Sequence, residues 1–298
     1  RDLRWCRDRP FPRVYQVHPD PIRSICLLRL SALGDVTHVV PLVRPLRRAW
    51  PGVALTWVID GGGRRLLEGL EGVEFVVYDK KTGFAGMRAL GRRLREGIHR
   101  EGMPREARPA GPRFDALLQL QVAARANLLS AFIPAARRVG YDRSRSKDLH
   151  GLFVNERIPD RPGIHVLDAI GSFCEPLGLR QTEVTWDLPV PADAWDWARA
   201  QWPGDGRRTL AISPCSSHAL RNWRAERYAA VADHALSRGW RVVLCGGRSA
   251  LERDTTDAIL AQMAPRPAGD DAVLDLVGKD TLKQLPALLG RADLLMTP

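Results

Sequence analysis

One segment near the N-terminus constrains the fold more than any other part of the chain. It begins with an apolar run, Ile25–Leu30, which is typical of a strand buried in a parallel sheet. The loop Ser31–Gly34 follows, and Asp35 then opens a helical pattern that continues to about Ala49. This order predicts a carboxylate at the carboxyl edge of a parallel sheet, where open α/β folds bind ligands. The alternative is that Asp35 only caps the helix.

The same alternation of strand-like and helix-like runs continues along the chain in two blocks. In the first block the predicted strands are Ser24–Leu30, Ala54–Ile59, Glu74–Tyr78, Ala116–Leu120 and Arg138–Gly140. In the second block they are Thr209–Ser213, Arg241–Cys245, Ala272–Leu276 and Ala292–Met296. Residues 185–191 are extended and contain two prolines, which predicts a linker. The sequence therefore predicts an α/β fold of two doubly wound, parallel-sheet domains, at 1–184 (with an irregular lead-in at 1–21) and at 192–298.

Composition and missing motifs exclude several classes of function. The hydrophobic content of 45% and the charged fraction of 27% are those of a soluble globular protein, and no apolar run approaches the ~20 residues that span a bilayer. The five cysteines form no CxxC pair and the seven histidines show no metal spacing, so no metal or cofactor is expected. The chain also lacks GxGxxG, GxxxxGK[ST] and Asp-x-Asp, which are the usual dinucleotide, Walker and metal-clamp motifs.

Basic residues are concentrated in the first half of the chain. Residues 1–150 hold 28 Lys and Arg against 15 Asp and Glu, whereas residues 151–298 hold 17 against 19. The densest stretch, Lys80–Arg113, includes four arginines on a predicted amphipathic helix, namely Arg88, Arg92, Arg93 and Arg95. This excess favours an anionic acceptor or membrane surface, and the alternative is a solvated charged face. Phe84 is the one aromatic residue in the stretch, which argues against base stacking and hence against a nucleic-acid partner.

The second block contains a polar loop between a strand and a helix. Ser216, Ser217 and the backbone amides of such a loop are suited to bind phosphate oxygens. Arg221 adds a cation, and the start of the next helix near Arg224 adds a partial positive charge. The alternative is that the loop is only a turn.

A second set of residues follows the strand Arg241–Cys245. Gly246 and Gly247 would let a ligand approach the backbone, and Glu252 would lie one helical turn further on, placed to bind a ribose hydroxyl. The glycine pair alone is a weak signal, since glycines often end strands. His38, one turn after Asp35, is more often structural than catalytic.

Together these motifs resemble glycosyltransferase family nine, the bacterial lipopolysaccharide heptosyltransferases, and most of all its heptosyltransferase I-like members. The resemblance runs from about Ile22 to the C-terminus. The matching elements are the loop Leu30–Pro41, which is the most specific, together with Phe114–Gln121, Arg138–Asp142, Ser216–Tyr228, Gly246–Arg248 and Glu252.

The resemblance implies a GT-B fold, in which two Rossmann-like domains face each other across a cleft and bind acceptor and nucleotide sugar, respectively. It implies an inverting, metal-independent transfer of heptose from ADP-heptose to the phosphorylated inner core of lipopolysaccharide. By position, Asp35 matches the catalytic base, Arg221 a basic residue that neutralises the donor diphosphate, and Glu252 an acidic residue that contacts the ribose. Residue 221 is often lysine in the family, and arginine is a wider, planar donor.

The resemblance and the charge pattern also lead to expectations about the context of the chain. A monomer is expected in the cytoplasm, peripheral to the inner membrane. The family's Asp-x-Gly-x-x-His loop would follow Pro298, so the sequence predicts an incomplete C-terminal domain and a fragment that transfers no sugar. Two alternatives stay open: another nucleotide-sugar transferase on the same fold, and, less favoured, a basic nucleic-acid-binding module.

Overall fold

The structure is a computed structural model that describes residues 22–97, 113–179, 184–216, 218–267 and 271–298. The predicted lead-in 1–21 and the candidate residue Ser217 lie outside the described residues. The chain divides into two compact units between Pro189 and Val190, inside the segment that the sequence predicts as a linker. Each unit is built on one parallel sheet.

The first unit contains a parallel sheet of six strands within the described residues. In chain order these are β1 (Ser24–Leu28), β2 (Ala54–Ile59), β3 (Val73–Val77), β4 (Phe114–Gln119), β5 (Ala135–Gly140) and β6 (Glu156–Arg157). Their order across the sheet is β3-β2-β1-β4-β5-β6. The sequence predicts the first five strands, while the two-residue β6 is too short and too polar to be recognised from an apolar pattern.

Alternate residues of β1 explain why its sequence is apolar throughout. Ile25 and Leu27 pack into one core cluster, and Cys26 and Leu28 pack into the cluster on the other face of the sheet. All four side chains are fully buried. A central parallel strand covered on both faces has no solvent side, so it shows no polar alternation.

Helices cover both faces of this sheet. They are α1 (Leu33–Thr37), α2 (Val40–Ala49), α3 (Gly61–Leu66), α4 (Gly83–Gly97), α5 (Ala124–Ser130) and α6 (Val166–Gly171). The single helix predicted from Asp35 to Ala49 is wrong in one respect, because the structure divides it into α1 and α2. Pro41 lies in the first turn of α2, where its ring and missing N–H are tolerated but do not allow the preceding helix to continue.

The second unit has the same architecture on a smaller sheet. Its described elements are α7 (Ala192–Gln201), β7 (Thr209–Ile212), α8 (Ala225–Ser237), β8 (Arg241–Leu244), α9 (Ala250–Gln262), β9 (Val273–Asp275), α10 (Gln284–Leu289) and β10 (Leu294–Met296). The parallel strands have the order β10-β7-β8-β9. The predicted α/β class with two doubly wound parallel sheets is therefore confirmed.

Both strand orders contain a point at which the chain reverses its direction across the sheet. In the first sheet β1 lies between β2 and β4, and in the second β7 lies between β8 and β10. The loops that leave the two strands at such a point turn to opposite faces and leave a crevice at the carboxyl edge. The loop after β1 leads to Asp35, and the loop after β7 leads to Ser216 and Arg221. The topology thus places both groups of candidate residues where such folds bind ligands.

Candidate functional site

An ion pair lies at the carboxyl edge of the first sheet. Arg29 follows β1 directly, and its Nη2 lies 2.5 Å from Oδ2 of Asp35 in the first turn of α1. The backbone N–H of Ala32 donates to the same oxygen at 3.2 Å. The side chain of Asp35 is 43% exposed, whereas that of Arg29 is 13% exposed. A fixed cation therefore holds a carboxylate that solvent and ligands can reach.

The sequence left open whether Asp35 only caps its helix. In the structure Asp35 does cap α1, but it also makes a second contact. The bond from the Ala32 N–H satisfies an amide at the start of α1, as a capping carboxylate would. The contact with Arg29 goes beyond capping, because it joins the carboxylate to the central strand of the sheet. Sequence reasoning missed Arg29. The available signal was a charged residue directly after the five buried positions of β1, at the carboxyl end of the strand.

Neighbouring loops fix the surroundings of this pair. The N–H of Leu30 donates to Oε1 of Gln121, which follows β4, at 2.9 Å. Asp60, which follows β2, caps α3 by accepting from the N–H of Gly63 at 2.8 Å. The loops after β1, β2 and β4 thus lie at one edge of the sheet, and each carries a polar side chain there.

Side chains of the loop after β7 form hydrogen bonds to the backbone of the same loop. Oδ1 of Asn222 accepts from the N–H of Ser216 at 2.7 Å, and the Ser216 hydroxyl donates to the carbonyl of His218 at 2.9 Å. Arg221 ends a short 3-10 turn and is exposed. Ser216 therefore shapes the loop, and Arg221 extends from it toward solvent.

Helix α8 begins directly after this loop. Its N-cap residue is Arg224, which makes no side-chain capping bond. The N-cap side chain therefore leaves the start of this 13-residue helix uncapped, although the Arg227 N–H donates to the carbonyl of Arg224 at 3.0 Å. The helix dipole favours an anion at this end. Arg221 and the start of α8 follow the same strand end, as predicted.

Gly246, Gly247 and Glu252 are also brought together, at the end of β8. A Cβ at Gly247 would lie 2.8 Å from Oε2 of Glu252, so the absence of a side chain lets the carboxylate approach the backbone. Oε1 of Glu252 accepts from the Gly247 N–H at 2.5 Å, and Oε2 accepts from the Ser249 hydroxyl at 2.6 Å. Burial alone would raise the pKa of Glu252, but these hydrogen bonds hold it below its ordinary value. A contact between Glu252 and the ribose stays a prediction. In the structure the Glu252 carboxylate already caps α9.

Asp280, in the loop after β9, is a residue that the sequence did not single out. Burial is the main reason that its pKa is raised, and the nearby Glu252 carboxylate adds to the effect. It follows the Val277–Gly278 turn, whose Gly278 N–H donates to the carbonyl of Gly246 at 2.9 Å. A third loop therefore joins the carboxyl edge of the second sheet.

The four predicted arginines of α4 are all exposed, while Met87, Leu90 and Leu94 on the opposite side of the helix are buried. Arg88, Arg92 and Arg95 follow a spacing that places them on one stripe of the helix. Within the described residues, none of the four arginines forms an ion pair with a carboxylate. The amphipathic helix predicted from the sequence is thus confirmed, and its charged face is open.

No described helix combines the length and the apolar character needed to cross a bilayer. No group of three or more His, Cys, Asp or Glu side chains in the described ranges is arranged to hold a metal ion.

Comparisons with known proteins identify the family. The sequence model of glycosyltransferase family 9 (heptosyltransferase) matches residues 110–298. The lipopolysaccharide core heptosyltransferase OpsX of Haemophilus influenzae is 34% identical over 276 residues, which are 93% of this chain and 73% of that protein. Lipopolysaccharide heptosyltransferase 1 of Pseudomonas aeruginosa is 24% identical over 243 residues, or 80% of this chain and 64% of that protein.

Solved structures show the same fold. A family 9 glycosyltransferase from Veillonella parvula superimposes with a TM-score of 0.75 at 23% identity, covering 95% of this chain and 77% of its own. Escherichia coli heptosyltransferase WaaC with ADP superimposes with a TM-score of 0.66 at 18% identity, covering 92% and 81%. The fold predicted from the resemblance, GT-B, is confirmed by these neighbours. This chain is a glycosyltransferase and belongs to glycosyltransferase family 9, the heptosyltransferase family.

Proposed function

We propose that this enzyme transfers heptose from ADP-heptose to a phosphorylated sugar of the lipopolysaccharide inner core. The observation that carries the proposal is the Asp35 carboxylate, anchored through one oxygen and accessible to solvent at the carboxyl edge of the first sheet. The name of the H. influenzae relative supports the acceptor class, and the ADP in a structural neighbour supports the nucleotide. In this proposal residues 1–184 bind the acceptor and residues 192–298 bind the donor.

The proposed reaction is a single displacement. The acceptor hydroxyl attacks the anomeric carbon of the heptose from the face opposite the diphosphate, so the new glycosidic bond has the inverted configuration. Asp35 accepts the hydroxyl proton. The bond between the anomeric carbon and the diphosphate oxygen breaks, and its electron pair leaves with ADP. The transition state resembles an oxocarbenium ion, and negative charge grows on the leaving group.

The second unit supplies groups that stabilise this negative charge. We assign Arg221, the Ser216–Ser217 loop and the amides of α8 to the diphosphate, which requires no metal ion. We assign Gly246, Gly247 and Glu252 to the nucleoside. The exposed guanidinium of Arg221 and the uncapped start of α8 support the first assignment.

A transfer assay with a panel of nucleotide sugars tests the proposal as a whole. We expect the full-length protein to turn over ADP-heptose, and to form product whose anomeric configuration, read by NMR, is opposite to that of the donor. Chelation of divalent ions should leave the rate unchanged. Turnover with a different nucleotide sugar alone would instead identify another transferase of the same fold.

Replacing Arg221 with alanine is expected to weaken ADP binding about tenfold, which corresponds to about 1.4 kcal/mol. Adenosine binding should change little, because adenosine lacks the diphosphate that the guanidinium contacts. Titration calorimetry with both ligands is the measurement. Arg238→Ala, at the opposite end of α8, is the matched control and should bind ADP normally. Equal losses for ADP and adenosine would contradict a phosphate contact.

The charged face of α4 is proposed to attract the anionic acceptor and the cytoplasmic face of the inner membrane. Changing its four arginines to glutamine is expected to abolish most binding to anionic vesicles, since each basic residue near such a surface contributes about 1 kcal/mol. Nucleotide binding should not change. Vesicle cosedimentation at two salt concentrations is the measurement, because the attraction weakens as salt rises.

The control for this experiment removes the same charge from the second unit. It carries four exposed arginines changed to glutamine, namely Arg199, Arg208, Arg227 and Arg238. If both variants lose vesicle binding equally, net charge rather than the α4 face is responsible. If the α4 variant binds vesicles normally, α4 is only a solvated face.

A further inference from the structure

The two carboxylate oxygens of Asp35 have different surroundings. Oδ2 lies 2.5 Å from Nη2 of Arg29 and also accepts from the N–H of Ala32. Oδ1 accepts no hydrogen bond from any described residue. One oxygen is therefore anchored by two donors, while the other retains its lone pairs for a ligand.

Two other arginine–carboxylate pairs in the same unit use both carboxylate oxygens. Arg44 contacts both oxygens of Asp187, with Nε to Oδ2 at 2.9 Å and Nη2 to Oδ1 at 2.5 Å. Arg137 contacts both oxygens of Glu156, each at 2.7 Å. Such two-oxygen contacts are the stronger geometry for an arginine–carboxylate pair. Arg29 instead contacts only Oδ2 of Asp35 and leaves Oδ1 without a partner among the described residues.

Arg29 is itself held from several directions. Its Nη1 donates to the carbonyl of Leu120 at 2.5 Å, beyond the end of the neighbouring strand β4. Its backbone N–H donates to the carbonyl of Val58 at 3.2 Å, and its carbonyl accepts from the indole N–H of the fully buried Trp57 at 3.1 Å. The bond to Leu120 therefore ties the guanidinium to the end of β4, and the backbone bonds hold residue 29 at the end of β1. Among the described residues, Nε of Arg29 has no hydrogen-bond partner.

We propose that Arg29 is the positioning residue of the transfer reaction: it fixes Oδ2 of Asp35 so that Oδ1 faces the acceptor hydroxyl and receives its proton. This inference rests on the proposed role of Asp35 as the base. In the step itself the proton moves from the acceptor oxygen to Oδ1 and leaves a neutral carboxylic acid. Arg29 remains a cation throughout, and Oδ2 keeps its hydrogen bond. Arg29 acts only through Asp35 and does not contact the reacting atoms.

Arg29→Ala is expected to lower kcat about 100-fold, because a base displaced by about 1 Å loses roughly that factor. The Kd for ADP should stay within about twofold, since donor binding is assigned to the other unit. Guanidinium ion at millimolar concentration should restore kcat in a saturable manner by occupying the vacated space. Arg29→Lys keeps the charge but carries its donors on a single nitrogen, so it cannot reproduce the separate contacts of Nη1 with Leu120 and Nη2 with Asp35. We therefore expect a loss of about tenfold with an unchanged Tm.

Arg44→Ala is the matched control, because it breaks an arginine–carboxylate pair of the same unit without touching Asp35. It should keep normal kcat and show no response to guanidinium ion. Normal kcat in Arg29→Lys or Arg29→Ala would overturn the inference, and so would a loss in Arg29→Ala that guanidinium ion does not restore. If Arg29→Ala does not fold, the kcat and Tm of Arg29→Lys decide the question. Normal turnover in Asp35→Asn would instead reject the proposed base.

Discussion

Replacing Asp35 with asparagine is expected to lower kcat by about 10²–10⁴-fold and to leave the Kd for ADP nearly unchanged. Asparagine has the same size, and its side-chain oxygen can still accept from the Ala32 N–H that binds Asp35. The amide is not a base at neutral pH, however, and has no charge to pair with Arg29. The acceptor hydroxyl would then have to attack without losing its proton to the enzyme.

The measurement is steady-state transfer together with calorimetry for ADP. Asp187→Asn is a suitable control, because it neutralises another carboxylate that pairs with an arginine of the same unit. Thermal unfolding of both variants separates a loss of chemistry from a loss of folded protein. Near-normal turnover in a folded Asp35→Asn enzyme would mean that a different group accepts the proton.

The central strands of both sheets, β1, β2, β4, β7 and β8, were predictable because they are short, mainly apolar and buried. Ala54–Ile59 was predicted to the residue, and Thr209–Ile212 to within one. A strand enclosed on both faces must exclude polar side chains, so its limits coincide with the limits of the apolar run. Helix α7 was missed, since its sequence places polar and aromatic residues on all sides. Only two of its residues, Ala194 and Ala198, are buried.

Residues of the candidate site were predictable where their role depends on local order along the chain. Asp35 follows a strand and a loop, and that order is enough to place it at the carboxyl edge of the sheet. The role of Arg29 depends on the carbonyl of Leu120, which is 91 positions away. A single sequence carries no record of such a contact, because many side chains would satisfy the local pattern. The capping role of Glu252 was predictable in principle from its spacing to Ser249.

A buried polar network lies at the carboxyl ends of β4 and β5, and no sequence pattern predicted it. The side chains of Gln119, Asn127 and His150 are all 1% exposed or less. Gln119 donates to Oδ1 of Asn127 at 2.6 Å, and Nδ1 of His150 lies 2.8 Å from the same oxygen. Nε2 of His150 accepts from the N–H of Tyr141 at 3.1 Å. With one ring nitrogen facing an acceptor and the other a donor, the imidazole is neutral.

We expect this network to make the first unit sensitive to acid. Burial, and secondarily the charge of Arg157, lower the pKa of His150 from 6.5 to about 4. Between these two values the unfolded chain binds a proton that the folded chain does not, so folding stability is lost as the pH falls. The full effect corresponds to about 3 kcal/mol, of which about 2 kcal/mol is reached by pH 5.

His150→Gln isolates this contribution, because glutamine also offers a donor and an acceptor but does not titrate. At pH 7 the variant should be less stable than the parent enzyme, since a flexible amide cannot match both ring contacts. The difference in the free energy of unfolding between the parent and His150→Gln should then shrink by about 2 kcal/mol at pH 5. Only the parent loses stability there, because its buried imidazole stays neutral in the folded state while it binds a proton in the unfolded chain. Urea-dependent hydrogen exchange of the first-sheet strands reports this free energy for the first unit alone. The exposed His234 provides the control as His234→Gln, and a pH-independent difference between parent and His150→Gln would show that His150 is not held neutral by burial.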